Sequence, residues 1–302
     1  MKLSQHHRRA GAVLGLLLLT TGALADSTIN ATQKFAYAAN AGWINFRHDQ
    51  PASPAGVVFG EYVVSGYAFA ANFGWINFGD GTPANGVRYQ DNSASDFGVN
   101  HDGAGNLSGY AYGANIGWIN FGWDPGHASR PRVNLATGNF SGYAYSANIG
   151  WIRLDTIDSG LRTDTMRCTD TDSDGMADEW EMAYFGDLTT ATFTSNADGD
   201  SASDKLEYLS STDPGDSADF LDIVSSRWNG TFTAATIVFT TNATRLYRIE
   251  TSDSLGIAPG AWVDSGLGVI TPDAGPTTTR LVTWPGATQK FLRAVSVKPL
   301  QP

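Results

Sequence analysis

The stretch "GYAYGANIGWINFG", residues 109–122, decides the fold because it occurs four times with small changes. The other copies are "GYAFAANFGWINFG" at 66–79, "GYAYSANIGWIRLD" at 142–155 and the weaker "KFAYAANAGWINFR" at 34–47. Each copy contains an aromatic-rich strand, an Asn-x-Gly turn and a second strand starting near the tryptophan. Four such units predict a mainly β chain that begins with a tandem antiparallel β-repeat domain.

The alternation within one copy predicts which side chains share a face. Tyr110 and Tyr112 share one face of their strand and Ala111 takes the other, while Trp118 and Ile119 lie on opposite faces of the next strand. Apolar residues on both faces predict burial from both sides, so we expect the aromatic residues to be core. In the turns, Asn and Gly are both residues that tolerate positive φ.

A second interpretation of the aromatic residues is a surface that binds sugar rings. Its candidate ligand-binding residues are the strand tyrosines Tyr67, Tyr110, Tyr112, Tyr143 and Tyr145. Their exposure would distinguish a binding surface from core. The repeats could close as a small propeller, wrap as a solenoid or self-associate through edge strands.

The N-terminal 25 residues have the pattern of a signal peptide. A basic start is followed by an apolar run that ends at Ala23-Leu24-Ala25, which predicts cleavage before Asp26. The apolar run is short for a membrane span and no basic stop follows it. We therefore expect a secreted protein, extracellular or at the cell surface, without a transmembrane anchor.

Charge and residue usage exclude several classes of function. The formal net charge of −11 argues against nucleic acid as a partner and favours cations. The one cysteine, Cys168, excludes an internal disulfide framework and leaves a buried thiol or an intermolecular bridge. His48, His101 and His127 lie in polar, loop-like stretches without a nucleophile motif, so we expect surface histidines and no enzyme.

Half of the 30 acidic residues lie between positions 164 and 219, a segment that contains two loops with calcium-binding spacing. "DTDSDGMADEWE", 170–181, fits the twelve-residue pattern D-x-[DN]-x-[DN]-G-x5-E, and "NADGDSASDKLE", 196–207, departs from it at Ser201, where glycine is expected. The ligands predicted for the first loop are Asp170, Asp172, Asp174, the Met176 carbonyl, Asp178 and Glu181. Those predicted for the second loop are Asn196, Asp198, Asp200, the Ala202 carbonyl, Asp204 and Glu207.

Each loop continues into a short amphipathic helix. We expect Trp180, Ala183 and Tyr184 to share the inward stripe of the first helix, which stops at Gly186. Leu206 and Leu209 are expected to face inward in the second. The alternative for the whole segment is a solvated acidic linker without ions.

The order of loop, "DEWEMAYFGDL", second loop and "LEYLSSTDP" resembles the calcium-binding repeats of thrombospondin type 3 and dockerin-like modules. The resemblance covers roughly residues 168–298 and includes the β-sandwich that often accompanies such modules. It implies Ca²⁺ binding and a structural role without catalysis. The "GYAY…GWINF" copies are similar to tandem repeats of secreted bacterial proteins of unassigned activity.

These observations predict three regions after the signal peptide. They are a four-unit repeat domain at 26–157, a paired calcium-loop module at 164–219 and an immunoglobulin- or fibronectin-like β-sandwich at 222–302. Five stretches of the last region, separated by Gly, Pro and Asp turns, predict its strands: "ATIVFTT", "RLYRIET", "AWVDSG", "TRLVTW" and "KFLRAVSV". The function we expect is that of a calcium-binding, non-enzymatic structural or adhesion protein of the bacterial cell exterior. A lectin-like protein that binds extracellular glycans is the first alternative, and a secreted hydrolase is the second.

Overall fold

A computed structural model describes residues 27–47, 56–156, 160–255, 262–286 and 290–301. The predicted signal peptide and its cleavage site lie outside these residues. Within them the chain is mainly β, as the repeats predict, with two short helices. No helix of the described residues is long and apolar enough to cross a membrane.

The first fourteen strands belong to the repeat domain. They are β1 (Ile29–Ala38), β2 (Gly42–Asn45), β3 (Val58–Phe59), β4 (Val63–Ser65), β5 (Tyr67–Ala70), β6 (Gly74–Asn77), β7 (Val99–His101), β8 (Leu107–Gly113), β9 (Gly117–Asn120), β10 (Arg132–Val133), β11 (Phe140–Ser141), β12 (Tyr143–Ser146), β13 (Gly150–Arg153) and β14 (Leu161–Thr163). The helices α1 (Asp178–Tyr184) and α2 (Asp204–Ser210) follow. The last strands are β15 (Ser225–Trp228), β16 (Ala234–Thr240), β17 (Leu246–Ser252), β18 (Val263–Asp264), β19 (Thr277–Thr283) and β20 (Phe291–Val297).

The four copies of the repeated stretch form four hairpins that close into an eight-stranded antiparallel barrel. The order is β1-β2-β5-β6-β8-β9-β12-β13, and β13 pairs with β1 to close the ring. Closure leaves these eight strands without an exposed edge. The repeats therefore form an up-and-down barrel, and neither the propeller nor the solenoid that the sequence also allowed. The remaining short strands lengthen the sheet at β8 and at β1, or form the separate pair β10-β11.

One face of every hairpin fills the barrel. In each copy, the alanine between the two strand aromatics is buried, and so is the isoleucine that follows the tryptophan. In the third copy these residues are Ala111 and Ile119. The tryptophans point outward, with Trp43 45%, Trp118 47% and Trp151 47% exposed. The expectation of burial on both faces was therefore wrong. A closed barrel buries only its inner face, and no second sheet among the described residues covers the tryptophans.

The turn asparagines hold the hairpins together. The Nδ2 of Asn115 donates to the carbonyl of Phe73 in the preceding turn at 2.9 Å, and Asn148 repeats this bond to Ile116 at 2.9 Å. Asn72 does the same to the first turn, and Asn40 closes the ring to the fourth. The positive φ of each turn falls on the glycine, as at Gly117 (φ 71°), and not on the asparagine as the sequence also allowed.

The two helices bury only part of the stripe that apolar spacing predicts. In α1, Trp180 and Glu181 are buried, whereas Ala183 and Tyr184 are exposed. In α2, Glu207 and Tyr208 are buried. Leu206 is exposed, whereas Leu209 is half-buried and packs against the core beneath the helices, as predicted. The acid at position twelve of each loop lies in the helix that follows the loop, and its side chain points back towards the loop aspartates. This orientation places the acid on the buried face of the helix.

The C-terminal region packs two three-stranded antiparallel sheets, β15-β16-β19 and β18-β17-β20, around one core. Its largest buried side chains include Phe239 and Tyr247, whose rings lie 5.6 Å apart. Five of the six strands match the sequence pattern. The sixth, β15, is an exposed edge strand without alternating burial, so no apolar pattern marks it.

The three regions meet at Glu61, in the turn between β3 and β4. Its carboxylate accepts hydrogen bonds from Tyr208 of α2 at 2.9 Å and from Lys298, which follows β20, at 2.5 Å. Arg245, which precedes β17, adds an ion pair, and Cys168 donates from its thiol at 3.2 Å. One carboxylate thus links the repeat domain, the helical module and the sandwich.

Candidate metal centre

The first acidic loop is shaped by its own aspartates. Asp170 Oδ2 accepts from the Gly175 amide at 2.9 Å, and Asp174 Oδ1 accepts from the Met176 amide at 2.9 Å. Gly175 has a φ of 87°, and Ser173 has a φ of 64°. These short-range bonds use one oxygen of Asp170 and of Asp174 and turn the loop back on itself.

Three aspartates of this loop converge, and several of its carboxylate oxygens have no partner. Ligand atoms of Asp170, Asp172 and Asp174 lie within 4.8 Å of one another. Asp170 Oδ1, Asp174 Oδ2 and both oxygens of the fully buried Glu181 have no hydrogen-bond partner. Buried carboxylates without partners are costly unless a cation or a proton neutralises them.

The second loop repeats the arrangement. Asp198, Asp200 and Glu207 have ligand atoms within 4.8 Å of one another. One oxygen each of Asp198 and Asp200 and both oxygens of Glu207 are buried without a partner. Both loops therefore leave carboxylate oxygens without a partner at positions five and twelve; the first loop adds position one, and the second adds positions three and nine.

Burial and crowding of like charge raise the pKa of both position-twelve acids. Desolvation is the largest cause, followed by repulsion from the loop aspartates, and it raises the pKa of Glu181 to about 7 and that of Glu207 to about 8. Both causes disfavour the charged carboxylate. A bound divalent cation would offset both by attracting the charged carboxylates.

The other side chains predicted as ligands form hydrogen bonds within their own loops. Asp178 accepts from the amide and the hydroxyl of Thr171, so it closes the first loop while keeping lone pairs. Asp204 closes the second through the Ala197 amide and leaves Oδ2 unpaired. Asn196 Oδ1 accepts from the Gly199 amide at 2.7 Å.

The residues predicted as carbonyl ligands, Met176 and Ala202, hold corresponding places in the two loops. Each donates its amide to the aspartate at position five, Asp174 and Asp200 respectively. Ser201, the departure from the pattern, is not among the described residues with positive φ. Gly199 at position four has a φ of 75° and makes the turn instead.

Lys205 connects the two loops. It lies in α2 at position ten of the second loop, and its Nζ donates to the Asp174 carbonyl of the first loop at 2.6 Å. Its ammonium also lies 4.6 Å from the centre of the Phe193 ring. One side chain therefore links the two loops directly.

The five tyrosines predicted as ligand-binding residues lie on the outer surface of the barrel. Tyr110, Tyr112 and Tyr145 are about two-fifths exposed, and Tyr67 and Tyr143 are half-buried. The sequence did not identify Phe97 and Trp123, which add a further ring beside the tryptophans of the third and fourth hairpins. Trp123 directly follows the repeated "WINFG", and this position in the sequence could have identified it as part of the same aromatic surface.

The histidines differ from the sequence expectation at one position. His101 is fully buried in β7 and is not a surface residue, whereas His127 is exposed. His48 lies outside the described residues. The His101 ring is held at both nitrogens by backbone groups, the Glu61 carbonyl and the Gly105 amide, which suits a structural role.

In chemical terms, each acidic loop is a set of hard, acceptor-only oxygens, which is what Ca²⁺ takes as ligands. The residues present fit that ion, because the unpartnered atoms are all carboxylate oxygens. Comparison of the chain with protein-family models, with curated proteins and with solved structures found no match. The interpretation of the site therefore depends on its geometry.

Proposed function

We propose that the protein is a secreted, calcium-binding, non-enzymatic structural or adhesion protein of the cell exterior. The observation that carries the proposal is the set of buried, unpartnered carboxylate oxygens in the two loops, which coincide at positions five and twelve. Extracellular calcium modules bind with Kd values of about 10⁻⁴–10⁻³ M, which suits a permanent structural ion.

The position of α2 indicates what the ion would stabilise. Glu207 contributes to the second loop, and the next residue, Tyr208, donates to Glu61 at the meeting point of the three regions. An ion that fixes Glu207 would also fix the helix that carries Tyr208. Calcium would thereby hold the repeat domain and the sandwich in one arrangement.

Calorimetric titration of the chelator-treated mature chain with CaCl₂ tests the proposal. We expect two ions per chain and a higher Tm, with about 1.4 kcal/mol of added stability per site at tenfold excess over Kd. Glu181→Gln and Glu207→Gln should each remove one ion.

The matched control is Asp187→Asn, which makes the same change of charge in the same segment. Asp187 is exposed and bonds only to neighbouring threonines, so the variant should keep both ions. Equal heat and equal Tm with CaCl₂ and with EGTA would refute the proposal and leave the acidic-linker interpretation.

A further inference from the structure

The outer surface of the barrel carries two pockets built on the same plan in successive hairpins. The first has a volume of about 500 Å³ and is lined by Asp91, Asn92, Ser93, Phe97, Tyr110 and Trp118. The second has a volume of about 300 Å³ and is lined by Trp123, His127, Ser129, Tyr143 and Trp151. Both volumes fall in the range of roughly 300–1,000 Å³ that is usual for small-ligand sites.

The walls of the two pockets are equivalent. Trp118 and Trp151 occupy the same place in their repeats, as do Tyr110 and Tyr143. An extra ring completes each wall: Phe97 lies 5.1 Å from Trp118 at an interplanar angle of 85°. In the second pocket Trp123 lies 4.8 Å from Trp151 at 73°.

These rings are held in place by the fold. The indole of Trp123 donates to the Tyr143 carbonyl at 2.5 Å. On the other pocket, Asp91 accepts from the Gly98 amide at 3.0 Å, which fixes the segment that carries Phe97. The rings are therefore preformed walls, and binding would cost little ordering entropy.

The polar residues differ between the pockets, but in both they are side chains that can form hydrogen bonds with hydroxyl groups. The first pocket offers the Asn92 amide and the Ser93 hydroxyl, and the second offers His127 and Ser129. Asn92 makes no hydrogen bond to another described residue. Only the first pocket has an acid, Asp91, so the two pockets share no carboxylate that would pair with a cation.

We propose that the two pockets are subsites for pyranose rings of a neutral saccharide. A pyranose has an apolar C–H face that packs on an aromatic ring and a rim of hydroxyls that hydrogen-bond to amides, hydroxyls and imidazoles. The chain's net charge of −11 disfavours acidic polysaccharides. This inference goes beyond calcium binding, because the pockets share no residue with either acidic loop.

The test is titration of the mature chain with cellohexaose, laminarihexaose, maltohexaose and chitohexaose, followed by tryptophan fluorescence and calorimetry in CaCl₂. We expect saturable binding of at least one of them. Trp118→Ala and Trp151→Ala should each weaken it by about tenfold or more, and the double variant should abolish it.

The matched control is Trp43→Ala. Trp43 is as exposed as Trp118 and packs on Tyr37 in the same register, but no added ring from another segment packs on it among the described residues. This variant should bind like the unaltered chain. Glu207→Gln should also keep saccharide binding, which separates the failure of this proposal from failure of the calcium proposal.

Several results would overturn the inference. These are no binding of any of the four hexasaccharides at 10 mM (about the weakest binding expected of a useful subsite), equal loss in Trp43→Ala, or binding of tetramethylammonium in place of the saccharides. A dimer that Trp118→Ala converts to a monomer, without saccharide binding, would also overturn it and identify the surface as a self-association interface.

Discussion

The carboxylate of Glu61 and the guanidinium of Arg245 form an ion pair of 3.2 Å between residues 184 positions apart, each with a side chain only 4% exposed. Arg245 also donates to the carbonyls of Leu209 and Tyr208 at 2.9 and 3.0 Å. Burial alone would raise the pKa of Glu61, but Lys298 and Arg245 outweigh it and hold that pKa below its usual value. The pair therefore stays charged.

Glu61→Gln should strongly destabilise the protein. It leaves Lys298 and Arg245 buried without a counter-charge, and removing one partner of a buried pair costs about 3–5 kcal/mol. Scanning calorimetry measures the loss as a lower Tm. Asp155→Asn, which breaks the exposed pair with Arg153, should leave the Tm unchanged. Equal effects of the two variants would contradict the role of Glu61.

Gly199→Ala should weaken calcium binding by the second loop, whereas Ser201→Gly should leave its affinity unchanged within about twofold. The reason is that Gly199 supplies the positive φ in this loop, and an alanine there costs about 1–2 kcal/mol. Calorimetric titration with CaCl₂ compares the two. A large gain from Ser201→Gly would show that position six governs the turn after all.

Asn115→Ala should lower the free energy of unfolding by about 1 kcal/mol, the usual net contribution of one hydrogen bond. It removes the bond to the Phe73 carbonyl that links two hairpins of the barrel. Asn92→Ala is the control, because Asn92 is exposed and bonds to no other described residue. Urea denaturation followed by circular dichroism measures both variants, and similar losses would count against the asparagine ring.

His101 should stay neutral well below pH 6.5. Burial is the main cause that lowers its pKa, and its Nδ1 donates to the Glu61 carbonyl while Nε2 accepts from the Gly105 amide. As pH falls below 6.5, the unfolded chain takes up this proton before the folded chain does, so stability decreases towards the lower folded pKa. NMR of the imidazole C–H signals tests this. An ordinary titration near pH 6.5 would contradict it.

The sequence by itself determined the four hairpins, since the alternation of aromatic and small residues and the Asn-x-Gly turns are local properties. It also determined both acidic loops, because their ligand spacing lies within twelve consecutive residues. In the same way, two helices and five of the sandwich strands follow from local patterns. None of these features depends on which distant segment lies beside it.

Tertiary structure alone decided what those elements face. Closure of β13 on β1 made one face of each hairpin the core and left Trp118 and its equivalents outside. The inward turn of Glu207 displaced Leu206 to the surface of α2. Glu61, Arg245 and Lys298 are far apart in the chain, so only folding could place their charges together, where burial makes each depend on the others.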